Sequence, residues 1–200
     1  MREWPLLACV VFASAAPTQS TVLLPQSAVG VAGNTNNVFP WGIGAGPWAG
    51  LHIQCLYDSS HFTSASITGP ILIQHVRWRA DDVANSFLWT GGTYPQATLA
   101  LGTAAVDYAA ATTNYAANAG PDFQVVYSGP VTALPGVGAG VGVPGPMVVD
   151  ITLPTPFPYN PALGDLIVDT DYQTPQPWSG TLAPLDVQLT NGLASRVFAS

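Results

Sequence analysis

The side chains able to do chemistry in this chain are few and one-sided. Its acidic residues are ten aspartates and Glu3, its basic residues are four arginines without a lysine, and it has three histidines. Asp165, Asp169 and Asp171 stand at even separations and would share one strand face. Clustered carboxylates can hold Ca²⁺, which takes about six to eight oxygen ligands, so calcium is the one cofactor to weigh. Against it stand the missing Asp-x-Asp-x-Asp-Gly loop and the plainer reading of a solvated strand face. Asp81-Asp82 follows a strand directly. It reads first as a polar turn, where Asp bonds its own backbone, and second as a rim position for a sugar or a cation.

Trp89 and Trp178 lie beside glycines and prolines, as do Trp41 and Trp48. Rings at loops or strand ends offer apolar faces to sugars, and they equally serve to cap the open ends of a β-sandwich. His52 and His75 fall on outward strand positions and His61 in a loop, a spacing that does not suggest the three or four ligands of a zinc site. Asp58, Ser60 and His61 are too close in sequence for a hydrolytic triad, and no Gly-x-Ser-x-Gly elbow is present. Glycoside hydrolysis needs two carboxylates with separated roles. A chain whose one glutamate lies in its leader lacks the commonest acid for that chemistry.

The first 19 residues read as a secretory signal. Arg2 gives the basic start, residues 4–16 form the apolar run, and Ala13-Ser14-Ala15 supplies the small–x–small cleavage pattern. Leu6-Leu7-Ala8-Cys9 resembles a lipoprotein box but lacks the apolar segment upstream of its cysteine. The run is shorter than the roughly 20 residues that span a bilayer. Residues 20–200 are expected to form a single exported domain whose C-terminal strand is cut short. The formal charge is −7, and removal of Arg2 and Glu3 leaves it unchanged, since three arginines against ten aspartates again give −7. Such a chain offers no footprint to phosphate backbones or anionic lipid, so nucleic acid and acidic membranes are poor partners. Cys55 is the one cysteine beyond the leader and reads as a buried, inert thiol.

Period-two alternation runs through the chain and predicts strands with one face on a core. Leu51, Ile53, Cys55 and Tyr57 alternate with His52 and Gln54. Val76 and Trp78 alternate with His75, Arg77 and Arg79. Phe123, Val125 and Tyr127 flank Gln124, and Met147, Val149, Ile151 and Leu153 face opposite to Val148, Asp150 and Thr152. Leu166 with Val168, and Leu185, Val187 and Leu189, give two more inward sets. Gly69-Pro70, Gly91-Gly92, Gly129-Pro130 and the proline-rich residues 154–161 and 175–180 read as turns between them. Residues 104–118 could hold a helix, or equally an irregular loop with one helical turn. Residues 134–146 resemble elastin in composition and read as a flexible loop. The pattern predicts an all-β, antiparallel two-sheet sandwich, jelly-roll-like.

Several segments together resemble a known group. They are Arg77-Trp78-Arg79-Ala80-Asp81, Trp89-Thr90-Gly91-Gly92-Thr93-Tyr94, Thr103-Ala104-Ala105-Val106-Asp107, Asn118-Ala119-Gly120-Pro121-Asp122 and Val126-Tyr127-Ser128-Gly129-Pro130. Thr155-Pro156-Phe157-Pro158-Tyr159-Asn160-Pro161 and Gly164-Asp165-Leu166-Ile167-Val168-Asp169 follow in order. The chain looks like uncharacterised secreted bacterial β-sandwich proteins, some carrying a C-terminal surface-sorting tail. That resemblance implies export and a jelly-roll-like sandwich, and it brings no catalytic residues. The sorting tail's Pro-Glu-Pro motif does not occur in this sequence, so secretion is expected rather than anchoring.

The expectation is a secreted, non-catalytic β-sandwich module that binds or scaffolds polysaccharide or matrix, with ligand residues Trp89, Trp178, Asp81 and Asp82 and metal residues Asp165, Asp169 and Asp171. The alternatives are an extracellular glycoside hydrolase-like enzyme using aspartates and a self-assembling surface-layer protein. The arrangement of the aspartates discriminates between binding and catalysis.

Overall fold

The structure is a computed structural model that describes residues 20–41, 50–172, 181–188 and 192–199. The leader, Trp48 and Trp178 therefore lie outside the described residues. In chain order the strands are β1 (Thr35–Asn37), β2 (Leu51–Tyr57), β3 (Ile71–Arg79), β4 (Leu88–Trp89), β5 (Gly92–Thr103), β6 (Gln124–Ala133), β7 (Gly136–Val137), β8 (Met147–Tyr159), β9 (Leu166–Tyr172), β10 (Leu185–Val187) and β11 (Ala194–Ala199). Two short helices, α1 (Ser60–Ser64) and α2 (Tyr115–Asn118), interrupt them. No helix among the described residues is long and apolar enough to cross a membrane.

The fold is all-β and antiparallel, as the alternation predicts. One layer is a five-stranded sheet in the order β11-β2-β9-β5-β6. Facing it are the antiparallel pairs β3–β8, β4–β7 and β1–β10. One apolar core lies between, built from Leu51, Ile53, Leu99, Leu101, Leu166 and Val168 on one side and Val149, Ile151, Leu153 and Phe157 on the other. Trp41 anchors one end of it, its ring centroid 5.4 Å from Trp78 and 5.3 Å from Tyr94.

The departures from simple alternation have local causes. β8 continues through Pro154, Pro156 and Pro158, which were expected to form a connection. These residues are not buried, whereas Phe157 and Tyr159 are, and β8 bonds β3 along one side only at this end. A proline without an N–H is tolerated where no ladder bond is required of it. A shift in the β5–β6 register carries the pairing from Leu99↔Tyr127 to Ala100↔Val125. Val125 is left 60 % exposed, while Val126 packs on the core. A second shift, between Trp78 and Arg79, leaves Met147 facing out and Val148 buried. One added residue is enough to reverse which face a strand buries.

Candidate functional site

The outward side chains of the five-stranded sheet gather the polar groups of greatest chemical interest. The register aligns His52 of β2, Asp171 of β9, Thr98 of β5 and Ser128 of β6 in one row across four strands. The next row pairs Gln54 with Asp169 and Asp169 with Ala100. With strands about 4.8 Å apart, the first row crosses roughly 14 Å of sheet. Gln96 extends it by donating from Nε2 to the Ser128 hydroxyl at 3.0 Å, and the Thr93 and Thr132 hydroxyls meet at 3.1 Å further along β5 and β6.

Part of this face is roofed by residues 104–122, the excursion between β5 and β6. It contains one 3-10 turn, Tyr108–Ala110, and α2, so the irregular loop with a helical turn is what forms. Tyr115 stacks on the His52 ring at 4.0 Å with 12° between planes, and its Oη donates to the His52 carbonyl at 3.2 Å. Asn118 is fully buried, and its Nδ2 donates to Gln54 Oε1 and to the Thr112 carbonyl, each at 2.8 Å. The Thr112 N–H returns a bond to Asn118 Oδ1 at 2.9 Å. Gln54, likewise fully buried, donates from Nε2 to Asp169 Oδ2 at 3.0 Å.

His52 Nε2 lies 2.9 Å from both oxygens of Asp169. This hydrogen bond, opposed by partial burial and reinforced by the charges of Asp169 and Asp171, raises the imidazole above its ordinary value. Burial, then Asp169 and Asp171, raises the Tyr115 phenol. An imidazole held by a carboxylate can act as a base. Among the described residues, however, no serine, threonine or cysteine side chain hydrogen-bonds to the His52 ring.

The predicted site residues do not converge. Asp169 and Asp171 share the outer face of β9, as their spacing predicts, but Asp169 is only 6 % exposed and is not on a solvated strand face. Asp165 precedes the first residue of β9 and leaves the set. Its Oδ1 accepts from the Ser59 N–H at 2.9 Å and its Oδ2 from the Tyr108 N–H at 2.7 Å, tying two loops together. No group of three or more His, Cys, Asp or Glu able to hold a metal occurs among the described residues.

Asp81 and Asp82 do not form the expected polar turn; they lie in an irregular segment after β3 and tie it to distant parts of the chain. Asp81, raised by burial, accepts from Asn36 Nδ2 at 3.0 Å, and Asp82 accepts from the Gly142 N–H at 2.6 Å. Trp89 is 3 % exposed and cannot present a ring face to a sugar, which corrects the expectation of an aromatic platform there. Its Nε1 donates to the Leu134 carbonyl at 3.0 Å. Gly136, its partner on β7, lets the ring lie flat, since a Cβ at that position would come within 2.7 Å of the indole. Trp178 falls outside the described residues.

Asp58, Ser60 and His61 form no triad. His61 Nε2 donates to the Gly192 carbonyl at 2.8 Å, while Asp58 Oδ1 accepts from the Ser60 N–H at 2.7 Å. Cys55 is half-buried rather than fully buried, and the desolvation of its thiol pushes it up to about 11. Sequence reading missed the roles of Gln54, Tyr115 and Asn118. The available signal was Gln54 itself, an uncharged amide between His52 and two apolar strand neighbours. No family model matches the chain, and neither a curated protein nor a solved structure does.

Proposed function

We propose that this chain is an exported, non-catalytic β-sandwich module that binds extracellular polysaccharide or matrix polymer at or beyond the cell surface. The outer face of the five-stranded sheet is its binding face, and the jelly-roll winding and the kinship with secreted bacterial sandwich proteins belong to the same reading. The row His52, Asp171, Thr98 and Ser128, with Gln96 beside it, carries the proposal. Carboxylate, amide and hydroxyl groups set side by side supply both donors and acceptors, which sugar hydroxyls require. A row that crosses several strands suits an extended chain laid along the surface. A net charge of −7 favours a neutral polymer over an acidic one.

The carboxylates support binding over hydrolysis. Asp81, Asp82, Asp165 and Asp169 each accept hydrogen bonds from the protein's own groups, and a two-carboxylate mechanism needs a facing pair around one bond. Glycan-array binding of the wild type should weaken at least tenfold in the double variant Thr98→Ala/Asp171→Ala, and remain unchanged in Arg77→Ala on the opposite layer. Equal binding by all three proteins would remove this face from consideration. Release of reducing ends from the bound polymer would replace the binding reading with an enzymatic one.

A further inference from the structure

The two layers do not close on each other everywhere. An open-sided cavity of about 840 Å³ runs along β3, lined by residues 71–79 from both faces of that strand, by Leu101, Leu166 and Val168 of the five-stranded sheet, and by residues 20–25. Protein interiors are otherwise packed like organic crystals, with few voids larger than a water molecule. Cavities of about 300–1,000 Å³ with mainly apolar walls are the usual seats of small ligands.

Burial along β3 records the same space. On β8, the inward Val149, Ile151 and Phe157 are buried, whereas their cross-strand partners Trp78, Val76 and Ile73 are only half-buried. The inward side of β3 therefore meets a void where close packing would have placed side chains.

The lining is mixed along the strand, with Gln74, His75 and Arg77 interleaved among Ile73, Val76 and Trp78. Ile71, at the start of β3, shares its end of the cavity with Phe62, Ile67 and Leu166. Arg79, at the other end, is ion-paired with Asp186. Nine residues of strand separate these ends, on the order of 25–30 Å at about 3.3 Å per residue. The wall of residues 20–25 is not a strand. Val22 and Leu24 pack it against the core, and the residues that follow are tied down by the Gln26 N–H to His61 Nδ1 at 3.3 Å and by Arg79 Nη1 to the Ala28 carbonyl at 3.3 Å. A wall without a sheet ladder, beside an open-sided space, gives a route of entry.

We propose that this cavity binds a long-chain acyl amphiphile, its hydrocarbon body lying along β3 and its polar head at the Arg79–Asp186 end. An elongated, mainly apolar space, with polar side chains beside the hydrocarbon path and an ion pair at one end, suits that chemistry. A sugar would leave its hydroxyls unpaired against Ile73, Val76 and Leu166. The seat lies on the opposite side of the five-stranded sheet from the polar row, so it is independent of polysaccharide binding.

Titration of the full chain, produced without export and stripped of lipid, with the fluorescent fatty acid cis-parinaric acid tests this. Saturable binding is expected, displaced by palmitate and by hexadecanol but not by glucose oligomers. Displacement by both competitors assigns recognition to the chain, and displacement by palmitate alone assigns it also to the carboxylate. Ile73→Trp and Val76→Trp each fill the space from a half-buried position and should weaken binding at least tenfold, while Val125→Trp on the outer face leaves it unchanged. Circular dichroism confirms that each variant is folded. Absence of binding by the wild type, or undiminished binding by both filled variants, overturns the proposal. So does binding that appears only after Leu7→Asp, which would make the chain's own apolar leader the occupant.

Discussion

The buried amide pair beneath the 104–122 excursion gives the sharpest test of how this sheet face is built. In Asn118→Leu the side-chain volume is nearly kept and the hydrogen bonds are lost. Gln54 Oε1 then loses the Nδ2 donor at 2.8 Å, in a position with no exposed surface. A stranded buried acceptor costs about 1–3 kcal/mol. Thr112 is exposed, so water replaces the three bonds it shares with Asn118, and these contribute about 0.5 kcal/mol each. The expected loss is about 2.5–4.5 kcal/mol. At roughly 2–4 °C per kcal/mol for a domain of this size, Tm falls by about 7–14 °C for the central value. Urea unfolding followed by tryptophan fluorescence measures the free energy directly. Thr112→Ala, which deletes a single exposed partner, should cost about 1 kcal/mol or less. Gln54→Leu combined with Asn118→Leu should cost less than the sum of the two single changes, because neither amide is then left facing an apolar group. A loss below about 1 kcal/mol for Asn118→Leu would show that water reaches Gln54, and the roof would then be a loose loop rather than a sealed layer.

Four further outcomes follow from the geometry. His52 is raised above its unfolded value of 6.5 by its bond to Asp169, so its contribution to stability is fully present below that pH and fades as pH rises through the folded value; the Tm advantage of wild type over His52→Gln should shrink between pH 6 and pH 9, and an advantage that grows with pH would sink the assignment. Trp89→Ala should destabilise by about 3–5 kcal/mol while the folded protein keeps its glycan binding, and a stable variant that no longer binds would restore the ring as a platform. With Cys55 at about 11, the thiolate fraction at pH 8 is about one in a thousand, so iodoacetamide should label the native protein roughly a hundredfold more slowly than the urea-unfolded chain. EDTA should leave Tm unmoved, because His52 and Gln54 already hold Asp169; a fall of several degrees would point to a bound cation.

Much of the sandwich was legible in β2, where Leu51 and Ile53 face the core and His52 and Gln54 face out. That pattern survives because β2 pairs without interruption along β9. The same logic fails on the outward face of β9, where Ile167 and Asp169 are as buried as the inward Leu166 and Val168. A central strand is covered from both sides, and alternation cannot show that a distant excursion will roof its polar face. The three-aspartate set fails for a similar reason, since even spacing places side chains on one face only while the chain is pleated and Asp165 lies just outside the strand. Trp89 was misread because glycine in the sequence marks a turn, yet Gly136 in the fold is the gap that admits the indole.

By itself the sequence determined the all-β class and the inward sets of most strands, and it left residues 104–118 open between a helix and an irregular loop. These follow from side-chain alternation and turn chemistry, which act over a few residues. Tertiary structure alone decided which polar groups meet. The His52–Asp169 contact, the Gln54–Asn118 seal, the burial of Trp89 and the space along β3 all join residues far apart in the chain. Their geometry is set by strand register and by the fit of one layer upon the other, which local pattern does not encode.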